Sequence, residues 1–318
     1  MISFENVSKK YKDGTYAVNE FNLHINEGEL LVLIGPSGSG KTTTLKMINR
    51  LIPLTEGTIK ISDIKISDYD IHELRWDIGY VLQQIALFPH MTIEENIAVV
   101  PELKKWESQK INHRIDELLH MVGLDPKTYR KRKPHELSGG QQQRIGVARA
   151  LAANPPIILM DEPFSALDPI SREKLQDDLI VLQKDIKKTI VFVTHDMKEA
   201  LKLGDRICLM KEGRIVQTGT PDEFLYQPAN DFVREFVGID QGREKRVSVR
   251  EGMIPLKAAE KLTNMPVIAT DASMSEIAGL LSEHDELAVK EMGEIVGTLN
   301  RQGFIRILSS QMEGKLNE

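Results

Sequence analysis

The strongest chemical signal in this chain is the run Gly35-Pro36-Ser37-Gly38-Ser39-Gly40-Lys41-Thr42, followed by Thr43. Its spacing is G-x-x-x-x-G-K-[ST], in which glycines let successive backbone N–H groups turn inward around a phosphate. Lys41 is expected to reach the β- and γ-phosphates of a nucleotide, and the Thr42 hydroxyl to coordinate Mg²⁺. A second run, Ile157-Ile-Leu-Met160-Asp161-Glu162, is apolar and ends in two acids. Asp161 is expected to hold Mg²⁺ or its water, and Glu162 to polarise an attacking water. Ser138-Gly139-Gly140-Gln141 opens a helical stretch, so its hydroxyl and exposed N–H groups form a second anion site. His195 follows the β-branched run Ile190–Thr194 and is expected at the same sheet edge as Asp161, sensing a γ-phosphate.

These residues need an α/β frame. Ligands of open α/β sheets bind beyond the carboxyl ends of the strands, where apolar runs such as Leu30–Ile34 and Ile157–Met160 deliver them. The sequence reads as a strand pair (Ile2–Val7, Phe21–Ile25), then Leu30–Ile34, the glycine loop and a helix over Thr42–Leu51. Further strands are expected at Gly57–Ile61, Ile78–Gln83, Ile157–Met160, Thr189–Thr194, Arg206–Lys211 and Arg214–Thr218, the last two turned at Glu212-Gly213. Between them, 91–137 shows helical spacing in Ile93, Ile97, Ile111, Ile115, Leu118, Leu119 and Val122. The basic run Arg130-Lys-Arg-Lys133 at its end reads as a solvated loop. One helical stretch, Pro221–Val237, closes this part. The expected division is a domain over 1–238, a polar linker over 239–246, a small α+β domain over 247–310 and a fraying tail over 311–318.

Length fits that division: 318 residues is about twice what one domain usually takes. Apolar residues make up 41% and charged residues 28%, which excludes a disordered or collagen-like chain. The net charge of −6 argues against a nucleic-acid binder, which needs a basic surface to neutralise phosphates. The single cysteine, Cys208, excludes an internal disulfide, fits a reducing compartment and reads as a buried strand filler. No apolar run nears the roughly 18 residues of a membrane span, and the N-terminus lacks a signal-peptide pattern. A cytoplasmic protein that meets a membrane only through partners is the expectation.

Leu137-Ser138-Gly139-Gly140-Gln141, lying between the two runs, resembles the signature of the ATP-binding-cassette (ABC) family. The resemblance covers roughly Met1–Val237, and its companions occur in order. Gln83 resembles the family's Q-loop glutamine, which implies a place at the Mg²⁺ site. Ser165-Ala-Leu-Asp168 resembles its D-loop, His195 its switch histidine, and Tyr11 the aromatic that stacks on adenine. The family's fold is implied: an α/β P-loop NTPase cassette with a mixed sheet core, a helical subdomain and an antiparallel β part. ATP and Mg²⁺ are the implied ligands. A head-to-tail dimer is implied as well, in which each signature caps the ATP of a second copy.

Among ABC proteins, one cassette with a short interval between glycine loop and signature resembles a transport ATPase. The absence of a fused span favours an importer, whose partners would be transmembrane permease subunits at the cytoplasmic face of the membrane and, indirectly, an extracytoplasmic binding protein. Leu82–Asn96 resembles the Q-loop wording of osmoprotectant importers for glycine betaine, carnitine or choline, that is, quaternary amines. Pro266–Leu308 resembles a single cystathionine-β-synthase-type (CBS) module, implying regulation or dimerisation and leaving a regulatory ligand open. Asn300 and Gly303 stand where that module often carries a threonine and a ribose-binding aspartate. Val267, Ile268, Ile277, Leu280, Leu281, Ile295 and Val296 are expected to offer an apolar face to a second copy. The alternatives are an importer for another small solute and a nucleotide-gated clamp with little turnover.

Overall fold

Strand β3 (Leu30–Ile34) is buried at every position, as a parallel strand covered on both faces must be. The computed structural model describes residues 1–84, 86–165, 167–238, 249, 252–255, 265–270, 272, 274–291 and 294–314. In it β3 lies inside a six-stranded sheet. The order is β10 (Arg214–Gly219), β9 (Arg206–Lys211), β3, β8 (Thr189–Val193), β7 (Ile157–Asp161) and β6 (Ile78–Val81). Neighbours pair in parallel except β9 and β10, the hairpin expected at Glu212-Gly213. The loops after β3, β6, β7 and β8 therefore open on one edge.

Strand alternation sends side chains to two cores. Leu30, Val32, Ile34, Ile158, Met160 and Phe192 join a core with α6 (Gly139–Leu151), α7 (Pro169–Ile186) and α8 (Met197–Leu203). Leu31, Leu33, Leu159, Val191 and Val193 join the other. That second core is closed by α1 (Lys41–Ile48) and an antiparallel sheet ordered β2 (Tyr16–Ile25), β1 (Ile2–Lys10), β4 (Glu56–Ile61), β5 (Ile64–Lys65). Helix α2 (Ile71–Trp76) leads into β6. Cys208 is a filler of this core, its thiol pushed up to about 12 by burial.

The helical stretch contains α3 (Ile93–Leu103), α4 (Ser108–Met121) and α5 (Pro126–Tyr129). Thr92 and Glu95 start α3 with reciprocal side-chain-to-backbone bonds. The basic run is not simply solvated. Arg130 donates to Glu94 at 2.8 Å, Asp116 at 2.9 Å and Asn112 at 2.6 Å, tying α3 to α4. Three acceptors from two helices converge there, which the run itself does not reveal. The helical stretch 221–237 is also broken, into α9 (Pro221–Tyr226) and α10 (Asp231–Val237). Pro228 disfavours helix at the residue before it. The Gln217 amide then holds the gap, donating to Gln227 O at 3.4 Å and accepting from Ala229 N at 2.8 Å.

The chain divides into two compact units, Met1–Val237 and Gly238–Glu318. The expected linker, 239–246, lies outside the described residues. In the second unit a sheet runs β11 (Ile254–Pro255), β14 (Glu294–Asn300), β13 (Glu286–Glu291), β12 (Val267–Ala269), with α11 (Met274–Glu283) and α12 (Arg301–Gly314). Helix α12 continues into 311–314, the first part of the expected tail, and 315–318 lie outside the described residues. Its signal is slight: Ile307 is buried and Phe304 packs beside it, three residues apart on one face. The expected pairing face is mostly used internally. Ile268, Ile277 and Leu281 fill this unit's own core, Leu280 and Val296 pack against it, and Val267 and Ile295 stay exposed.

Candidate active site

The glycine loop joins the end of β3 to α1. Gly35 and Gly40 have φ of 151° and 101°. A Cβ would lie 2.1 Å from Met210 O at Gly35 and 2.3 Å from Ala17 O at Gly40, so both positions demand glycine. Pro36, Ser37 and Gly38 form the exposed crest of the loop, and Ser39 is buried. The Lys41 ammonium donates to Gly35 O at 2.7 Å, Pro36 O at 2.9 Å and Ser39 Oγ at 3.4 Å. Burial pulls its pKa down, opposed by the nearby carboxylates of Glu162 and Asp161. Helix α1 has no side-chain cap and no acid in its first turn, so its positive N-terminus opens into the loop. Thr42 and Thr43 lie in that turn.

Across the sheet edge, Thr42 Oγ1 donates to Asp161 Oδ1 at 2.8 Å. Tyr80 OH donates to Asp161 Oδ2 at 3.4 Å. Burial raises the Asp161 pKa, and the Thr42 bond and Lys46 oppose that rise. Tyr80 itself is raised by burial and by the charge of Asp161. Sequence reasoning gave Tyr80 no role. Its signal is register: Tyr80 pairs with Leu159, and Asp161 lies two residues further on the same face.

Glu162 turns out of β7 with φ of 44°, a left-handed backbone that is strained for a non-glycine residue. Its N–H donates to Val193 O at 3.0 Å, and its carbonyl accepts from Ser165 N at 3.2 Å and Ser165 Oγ at 3.0 Å. The turn is thus held from both sides. Its carboxylate Oε2 accepts from Gln83 Nε2 at 3.2 Å and lies 3.2 Å from His195 Nδ1. Residues from the ends of β6, β7 and β8 therefore meet on one oxygen. Gln83 turns its amide nitrogen to Glu162.

Ser138, Asp168 and Tyr11 lie apart from this cluster: among the described residues no hydrogen bond joins them to it. Ser138 caps α6, accepting from Gln141 N at 3.3 Å while Gln141 Oε1 accepts from Ser138 N at 2.9 Å. Gln141 Nε2 also donates to Tyr129 OH at 3.0 Å. A Cβ built on Gly139 would meet nothing within 4 Å, so this helix start is open to solvent. Asp168 caps α7, and its bonds to Ser171 hold its carboxyl below the usual range. Tyr11 is 45% exposed, with the Lys9 ammonium 5.3 Å from its ring centre.

The donor set fits a hard cation. The described residues hold no group of three or more His, Cys, Asp or Glu side chains able to bind a metal alone. The buried carboxylate of Asp161 with the Thr42 hydroxyl is what Mg²⁺ uses when substrate phosphates complete its shell.

A family model described as "ABC transporter" matches residues 18–165. The chain is 54% identical over 285 residues to the choline transport ATP-binding protein OpuBA of Bacillus subtilis (strain 168), covering 89% of this chain and 73% of that protein. It is 50% identical to the glycine betaine uptake system ATP-binding protein YehX of Escherichia coli (strain K12), covering 96% of this chain and 99% of that one. Among solved structures, a dimeric ATP-binding cassette in a post-hydrolysis state, bound to ADP and Pi, aligns with a TM-score of 0.63 at 41% identity. That alignment covers 70% of this chain and 99% of the solved one.

Proposed function

We infer, since this chain belongs to the ABC transporter family, that it is the ATP-hydrolysing subunit of an importer for quaternary amines such as glycine betaine, carnitine or choline. The observation that carries the enzymatic half is the Glu162 carboxylate, met at 3.2 Å by both Gln83 and His195, one residue after the acid that bonds Thr42. The solute class follows from the similarity to OpuBA and YehX.

In this reading Gly35–Thr43 wrap the phosphates of ATP, Lys41 shifts its ammonium from the loop carbonyls to the phosphate oxygens, and Tyr11 stacks on adenine. Asp161, Thr42 and the Gln83 side-chain carbonyl would hold Mg²⁺, which when bound neutralises charge on the phosphate oxygens. Glu162 accepts the proton of the attacking water, and Gln83 and His195 orient that water and the γ-phosphate. The strained turn at Glu162 aims one carboxylate oxygen at a fixed point rather than leaving it to rotate in solvent.

Ser138–Gln141 and Asp168 are assigned to the ATP of a second copy in a head-to-tail dimer. No described helix is long and apolar enough to cross a membrane. Coupling to transport is assigned to transmembrane permease subunits, with this chain at the membrane's cytoplasmic face. An extracytoplasmic binding protein would act through them. The C-terminal unit is read as a CBS-like regulatory or dimerisation domain.

The dimer has a direct kinetic consequence. At dilute protein, specific phosphate-release activity rises with protein concentration, and Ser138→Arg abolishes that rise without weakening ATP binding to the monomer. Constant specific activity from a species shown by light scattering to be monomeric would place the signature in cis and refute the composite site.

A further inference from the structure

A carboxylate outside the site just described lies directly behind His195. Glu199, on α8, is 6% exposed, and both of its oxygens are engaged. Oε2 accepts from Thr194 Oγ1 at 2.6 Å, and Oε1 accepts from Gln176 Nε2 at 3.1 Å. The Thr194 oxygen in turn accepts from Asp196 N at 3.0 Å. The two residues flanking His195 are thereby fastened to one buried group. Asp196 also caps α8, accepting from Lys198 N at 2.8 Å. On the far side, Gln176 belongs to α7. Arg172, a turn earlier on α7, has a buried Nε that finds no hydrogen-bond partner among the described residues and places positive charge near Glu199. Glu162, Arg172, Thr194, His195, Asp196 and Glu199 all line one cavity of about 40 Å³.

We propose that Glu199 is a positioning residue for His195, fixing the turn that carries the histidine and fastening it to α7. Burying a carboxylate is costly unless it is bonded and faced by charge, so one with no other task would be better replaced by an apolar side chain. Here each bond it makes constrains either the histidine turn or α7. The chain from Glu199 through Thr194 to Asp196 spans the β8–α8 turn, and His195 Nδ1 reaches Glu162 from that turn at 3.2 Å. A small displacement of an orienting group at a reacting centre costs about tenfold to a hundredfold in rate. The proposal rests on the assignment of His195 to hydrolysis made above.

The test is a double-mutant cycle on the full chain, read by steady-state and single-turnover ATP hydrolysis. Glu199→Ala is expected to lower kcat about tenfold or more with KM for ATP within about twofold, and Glu199→Gln to recover part of the loss. In a His195→Ala background the same Glu199→Ala change is expected to alter the rate by less than about twofold, because its effect passes through the histidine. Where Glu199→Ala protein does not fold, Thr194→Val breaks the same link and Thr194→Ser recovers most of it. Losses that multiply across the cycle, or a kcat for Glu199→Ala near wild type beside a crippled His195→Ala, would overturn this proposal alone. A His195→Ala protein of normal rate would overturn the histidine's assignment itself, and this proposal with it.

Discussion

Glu162→Gln protein is expected to bind ATP as tightly as the wild type and to hydrolyse it about 10²- to 10⁴-fold more slowly, the range that a positioned general base contributes. The amide keeps the shape of the carboxylate, so the strained turn and its bonds to Val193 and Ser165 survive. What it loses is the capacity to accept a proton from water. It also loses negative charge beside the γ-phosphate, so the ATP-bound dimer should persist and elute as a dimer in size-exclusion chromatography. Both contacts at 3.2 Å fall on one oxygen, so an amide that turns its own oxygen to Gln83 and His195 keeps them. Phosphate release within about twofold of wild type would remove Glu162 from the reaction.

Lys41→Ala acts earlier, on binding. Lys41 is 6% exposed and its ammonium donates to the loop carbonyls of Gly35 and Pro36, so it is a partly desolvated charge held inside the loop that would wrap the phosphates. Hydrogen bonds to charged groups contribute about 1.5–3 kcal/mol each, which predicts an ATP affinity roughly 10- to 150-fold weaker. Lys41→Arg should not restore it, because the planar guanidinium cannot occupy the same buried point between two carbonyls. Titration calorimetry with a non-hydrolysable ATP analogue reads both variants. An affinity for Lys41→Ala within about threefold of wild type would show that the loop binds phosphate without its lysine.

The phosphate loop was legible because its chemistry is local: spacing in Gly35–Thr42 reports backbone shape directly, and the structure places it between β3 and α1. Asp161, Glu162 and His195 were legible through their strands, since an apolar run ending in a polar residue puts that residue at the sheet edge. Groups defined by contacts remote in sequence were not. Tyr80 acquires its bond to Asp161 from the register of β6 on β7. Arg130 looks like one member of a basic run until α3 and α4 bring Glu94, Asp116 and Asn112 around it. Glu199 reads as a polar position in a short helix, and its burial comes from α7 packing across it. Helix α12 is not legible because its apolar face, Phe304 and Ile307, is too sparse to stand out in a polar sequence.

Hydrolysis at Glu162 is expected to drive entry of a quaternary amine. The direct measurement is ATP-dependent uptake of labelled glycine betaine, carnitine and choline by membrane vesicles containing this chain with its permease subunits and binding protein. Accumulation of at least one of the three is expected when ATP and Mg²⁺ reach the face carrying this chain, and its loss in vesicles carrying Glu162→Gln protein. Vesicles that hydrolyse ATP at the wild-type rate yet accumulate none of the three would contradict that expectation.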